Sequence, residues 1–183
     1  MKKHVVFATL LCLSTLSAPA MAAKFERSST PPKGTLSLPH QALSNACDLS
    51  EINLDCNVIT YKITEKKSSE AWTRTVQQLI YATGAPYVED VSASAVSKNG
   101  RAITKALEEV LEATGFYDKV EDTEANAFWD EFGETLQNQI LDESSVIAVE
   151  GGISGAFSLS HAYLALIDRK SGEVVIISGG YSE

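Results

Sequence analysis

Hydrophobic and polar positions fall into two rhythms along this chain, and the clearest passage is the last. Leu159–Asp168 and Glu173–Tyr181 are two β-rich apolar runs around the polar segment Arg169-Lys170-Ser171-Gly172. Such runs around a short segment ending in Gly predict a β-hairpin. Both alternating sets of residues in each run are apolar, so the hairpin belongs inside a sheet, with helices on at least one face. With Gly172 in the left-handed position the loop is Lys170-Ser171-Gly172. That register sets Arg169 opposite Glu173, a cross-strand ion pair worth roughly 0.2–1 kcal/mol. It continues with Ile167 opposite Val175 and Ala165 opposite Ile177, and ends with His161 opposite Tyr181. A slip of one residue would oppose Asp168 to Glu173, two like charges, so the first register is expected.

Upstream, the same alternation predicts strands at 57–64, with Val58, Ile59, Tyr61 and Ile63, and at 144–150. Helical spacing predicts three helices. The first runs from Ser68 or Ser69 through Ala82, with Trp72, Val76, Leu79 and Ile80 on one face and Gly84 ending it. The second runs from about Arg101 to Thr114, with Ile103, Leu107, Val110 and Leu111 on its face. The third covers about 123–141, with an apolar stripe of Phe128, Phe132, Leu136 and Ile140 widened by Trp129. The first two align without a gap at an offset of 31 residues, Ala71–Gly84 over Ala102–Gly115, and read as a packed helix pair. The whole predicts one α+β domain with a mostly antiparallel sheet. Gly151–Ser158 reads as a Gly/Ser-rich loop into the hairpin, and Ser154 and Ser158 on it are candidate binding residues.

The start of the chain has a different character. Lys2 and Lys3 precede an apolar run from Val5 to about Leu16, and Ala20-Met21-Ala22-Ala23 follows. This is the pattern of a secretory signal, with cleavage expected after about Ala22 and the periplasm as destination. The domain organisation expected is therefore a signal peptide over 1–22, a flexible leader over 23–40 carrying Pro31, Pro32 and Pro39, and a single domain over 41–183. Apart from Cys12 in the signal, the cysteines are Cys47 and Cys56, and a pair in an oxidising compartment predicts a disulfide.

Charge narrows the partners. The net charge of −9 becomes −11 once Lys2 and Lys3 leave with the signal. Nucleic acid and anionic membrane are poor partners for such a chain, whereas a basic protein suits it. No stretch after the signal is long enough to insert in a membrane. Glu121, Asp122, Glu124, Asp130, Glu131 and Glu134 crowd the first half of the third helix beyond what its dipole needs. Asp130, Glu131 and Glu134 are accordingly candidate contacts.

Candidate chemistry is sparse. With only His40 and His161 beside the two cysteines, no metal set appears, and no cofactor motif is present. His161 opens the hairpin, downstream of Cys47 on a short helical turn. A Cys at a helix start with a His opening a later hairpin resembles papain-like thiol hydrolases of the cell-wall peptidase type. The resemblance implies Cys47 as nucleophile, His161 as its base and Tyr181 or Ser178 as orienter of the ring. Against it stand the expected Cys47–Cys56 disulfide and the lack of an Asn, Asp or Gln orienter. His161 is therefore expected to be structural. By elimination, the function expected is a non-enzymatic exported protein that binds another protein. An immunity or inhibitor protein against an envelope-acting enzyme, or an accessory of an envelope assembly, is the concrete form.

Overall fold

The computed structural model describes residues 23–49, 56–66, 71–83, 88–96, 100–113, 122–132, 145–155 and 160–181. Six strands form one antiparallel sheet: β1 (Lys24–Arg27), β2 (Asn57–Glu65), β3 (Val88–Ala95), β4 (Val146–Gly155), β5 (Ser160–Asp168) and β6 (Glu173–Tyr181). Their spatial order is β1-β2-β6-β5-β4-β3. Four helices accompany them: α1 (Ser37–Leu49), α2 (Trp72–Thr83), α3 (Gly100–Ala113) and α4 (Asp122–Phe132). The expected α+β class is therefore observed, and the hairpin β5–β6 occupies the two central places of the sheet.

Its composition requires that place. On one face Leu164, Leu166, Val175 and Ile177 meet Ala42, Leu43 and Ala46 of α1, Phe128 of α4, and Ile103, Leu107, Val110 and Leu111 of α3. On the other, Tyr163, Ala165, Ile167, Val174 and Ile176 meet Val76, Leu79 and Ile80 of α2. The sheet thus lies between helices on both sides. The four large residues on the buried stripe of α3 each contribute about 1.5–3 kcal/mol by leaving water, which outweighs its exposed Lys105–Glu109 pair.

The hairpin register differs from expectation by one residue. Asp168 pairs with Glu173, Ile167 with Val174, Ala165 with Ile176 and His161 with Gly180, while Tyr181 pairs with Ser160. Gly172 does take the left-handed conformation, with φ 71°, but the loop has four residues. Its N–H donates to the Asp168 carbonyl at 2.8 Å. Local hydrogen bonds draw the two carboxylates toward the loop. Asp168 Oδ1 accepts from the Lys170 N–H at 2.8 Å, and Glu173 Oε2 lies 3.4 Å from the Ser171 hydroxyl. Arg169 donates to the Ser145 carbonyl from its N–H and from Nε instead of facing Glu173. An ion pair across the turn was too weak to choose the register against these bonds.

Three further expectations need correction. Residues 23–40 are no flexible leader. β1 pairs with β2 and sets Phe25 beside Ile63, and Leu36, 1% exposed, sits under the start of α1. Pro39 lies in the first turn of α1, where a missing N–H leaves no helix bond unmade. Gly151–Gly155 is no loop but the second half of β4, paired with β3 throughout and with β5 as far as Ser154. Finally, α2 and α3 are not a packed pair, because they cover opposite faces of the sheet. The 31-residue offset that relates them also moves the start of β2, Asn57, onto that of β3, Val88. Each helix therefore follows a strand at the matching place.

Cys47 and Cys56 are joined, tying the end of α1 to the entry of β2. A closed loop with a sequence separation of 9 gains about 2.5 kcal/mol on the chain-entropy model. Residues 1–22, Glu134, Ser158 and the stretch 133–141 expected to continue the third helix lie outside the described residues.

Candidate functional site

The two residues of the hydrolase-like arrangement are kept apart. Cys47 is bonded to Cys56 and packs against the cluster beneath α1 and α3. His161 alternates with Tyr163, Ala165 and Ile167 on the α2 side of β5, and pairs with Ile153 of the same cluster. The sheet stands between thiol and imidazole, so the pair does not form here.

His161 instead has a structural neighbour. A Cβ on Gly180 would fall well inside 3.0 Å of three atoms of the imidazole ring, so the ring lies over this glycine. One strand away Tyr163 does the same over Gly151. Its hydroxyl crosses β4 and donates to the Ser92 carbonyl of β3 at 2.7 Å. A Cβ on Gly151 would collide with that carbonyl oxygen and with the hydroxyl together. The hydrogen bond therefore closes over the glycine. Burial pushes the Tyr163 phenol far above its ordinary value, which keeps it a donor. Gly151 was expected to begin a loop, whereas Gly180 falls in the run expected as the second hairpin strand. Gly151 lets the Tyr163 ring cross the strand, a role that becomes visible only once β3 is known to be there, and Gly180 leaves room for the His161 ring.

The acidic residues of the third helix divide. Asp130 and Glu131 are both exposed on α4. Glu131 lines a groove between α1 and α4 of about 420 Å³, together with Glu124, Asp48 and Asn45. Ala127 and Phe128 form its apolar part. Three carboxylates around an apolar strip can receive a cationic side chain, whose aliphatic stem lies on the strip and whose charge meets the acids. Sequence reasoning selected Glu131 but passed over Asp48 and Asn45, because nothing local tells that α1 runs beside α4. Ser154 sits in β4, paired with Asp90 and Ser160, and has no part in this groove.

Among the described residues no three His, Cys, Asp or Glu side chains are placed to hold a metal ion, and no helix is long and apolar enough to cross a membrane. No protein-family model, curated protein or solved structure matches the chain.

Proposed function

We propose that this is an exported, non-enzymatic protein that binds a basic protein partner through the groove between α1 and α4. Its concrete form is an immunity or inhibitor protein acting against an envelope enzyme. The observation that carries the reading is the groove itself: Asp48, Glu124 and Glu131 from two helices around Ala127 and Phe128. The acidic balance of the whole chain agrees with it, since like charge over the surface speeds encounter with a cationic partner. The Cys47–Cys56 bond fits a protein that folds in an oxidising compartment such as the periplasm, the destination that the pattern of residues 1–22 implies.

The test is capture from envelope extract by the exported protein, beside a variant carrying Asp48→Lys, Glu124→Lys and Glu131→Lys. The native protein should retain a basic protein. The reversed variant should lose it, and association with the purified partner at low salt should slow at least about tenfold. Capture of the same protein by both, with equal rates, would remove the groove as the binding site.

A further inference from the structure

The two edges of the sheet are treated differently. At one end β1 is four residues long and puts Lys24, Glu26 and Arg27 along its length, the usual way in which an edge is made unattractive to another strand. At the other end β3 presents Ser92, Ala93, Ser94 and Ala95, with no charge, proline or bulky side chain among them.

Part of the β3 edge is covered from within. In an antiparallel ladder alternate residues direct both N–H and C=O outward. Val91 is such a residue, and α2 satisfies both of its groups. Its N–H donates to the Tyr81 hydroxyl at 3.1 Å, and its carbonyl accepts from Gln77 Nε2 at 3.2 Å. This also explains why Tyr81 is kept at 51% exposure. Val96 bonds inward, its N–H to the Ala148 carbonyl, so Ala93 and Ala95 share the outward parity of Val91. Among the described residues no helix side chain meets their outward groups. Ser92, Ser94 and Ala95 are exposed, and Ala93 is half-buried.

Beside this stretch lies a second hollow, about 290 Å³, between α3 and the sheet. Glu109 of α3 and Glu150 of β4 stand at it, the small residues Gly152 and Ala162 lie at its floor, and the Ser94 hydroxyl lies 3.2 Å from Glu150. A strand added beside β3 would lie about 4.8 Å from it and about 10 Å from β4. Over a side chain as small as Ser94, a Lys or Arg can span that distance and meet both carboxylates.

We propose that the β3 edge from Ser92 to Ala95 receives an extended, cationic segment of a partner protein as a seventh strand. The outward N–H and C=O groups of Ala93 and Ala95 hold its backbone, and Glu109 and Glu150 take a Lys or Arg from it. This is strand addition, in which main-chain bonds give affinity and pockets for alternate side chains give specificity. The basic partner is shared with the function proposed above, but the surface is independent of the α1–α4 groove. A second copy of this chain is the weaker occupant. Its own β3 carries Glu89 and Asp90 and no Lys or Arg, so it brings acids toward acids.

The probe is a fluorescent capped peptide, Lys-Val-Lys-Val-Lys-Val-Lys, whose binding to the native protein is read by anisotropy. A companion peptide is N-methylated at alternate residues, which removes the donors needed for the ladder. The first should bind and the second should lose at least about tenfold in affinity. Ala95→Pro removes one outward N–H without touching the inward ladder and should weaken the first peptide similarly. Glu150→Gln should weaken it and flatten its salt dependence. Should Ala95→Pro fail to fold, the pair of peptides on the native protein decides alone. The variant reversed at Asp48, Glu124 and Glu131 should bind the peptide as the native protein does. If the peptide follows that variant instead, the β3 inference fails while the groove stands. Equal binding of the two peptides, or a β3-mediated dimer that Ala95→Pro dissociates, also overturns it.

Discussion

Substituting Gly151 by Ala is the sharpest test of how β3 is held. A Cβ there would stand well inside 3.0 Å of the Ser92 carbonyl oxygen, the Tyr163 hydroxyl and the Tyr163 ring. The ring is 1% exposed and packed beneath α2, so it has nowhere to swing. Either β3 moves away or the ring leaves its seat. Overpacking of this kind costs about 1–3 kcal/mol. Breaking the 2.7 Å bond and leaving a buried hydroxyl unmet costs about 1–3 kcal/mol more. Against this, Ala in place of Gly returns roughly 0.5–1 kcal/mol of chain entropy. The balance is a loss of about 3 kcal/mol, large for a single added methyl. At roughly 2–4 °C per kcal/mol for a chain of this size, the melting temperature should fall by roughly 6–12 °C. Urea melts followed by circular dichroism give the free energy, with Tyr163→Phe and the double variant alongside. Tyr163→Phe alone should cost about 1 kcal/mol. On top of it, Gly151→Ala should cost less than it does alone, because the hydroxyl has gone. A Gly151→Ala protein within about 0.5 kcal/mol of the native one, or strict additivity, would refute the hydrogen bond over Gly151.

Two further outcomes are expected. Gly180→Ala should destabilise by about 1 kcal/mol, since it displaces the His161 ring, but be neutral or stabilising on top of His161→Ala; an equal cost in both backgrounds would mean that the ring does not lie over Gly180. Burial lowers the proton affinity of His40 on α1 below its ordinary value of 6.5, so below about that pH the unfolded chain binds a proton more readily than the folded one. Stability should therefore fall as pH drops through this window, less steeply in His40→Gln, and coincident pH profiles of the two proteins from pH 7.5 to 5 would contradict it.

What could be read from residues alone was whatever a short window contains. The apolar stripes Val76-Leu79-Ile80 and Ile103-Leu107-Val110-Leu111 mark α2 and α3, because a helix buries one face at a fixed spacing. The apolar runs on both sides of Gly172 mark the central hairpin for the same reason, and the disulfide followed from counting cysteines. The edge strands were out of reach. β1 is four residues, three of them charged, and β3 is largely small or polar; each is a strand because a neighbour pairs with it, not because its own residues ask for it. The hairpin register turned on side-chain bonds of Asp168, Arg169 and Ser171 to nearby backbone, which outweighed an exposed ion pair. The choice of sheet face for α2 and α3, the distance from Cys47 to His161, and the meeting of Asp48 with Glu131 depend on contacts across tens of residues. Periodicity records only how much of an element is buried. Tertiary packing alone decides against what it is buried, and both surfaces proposed for binding arise at that level.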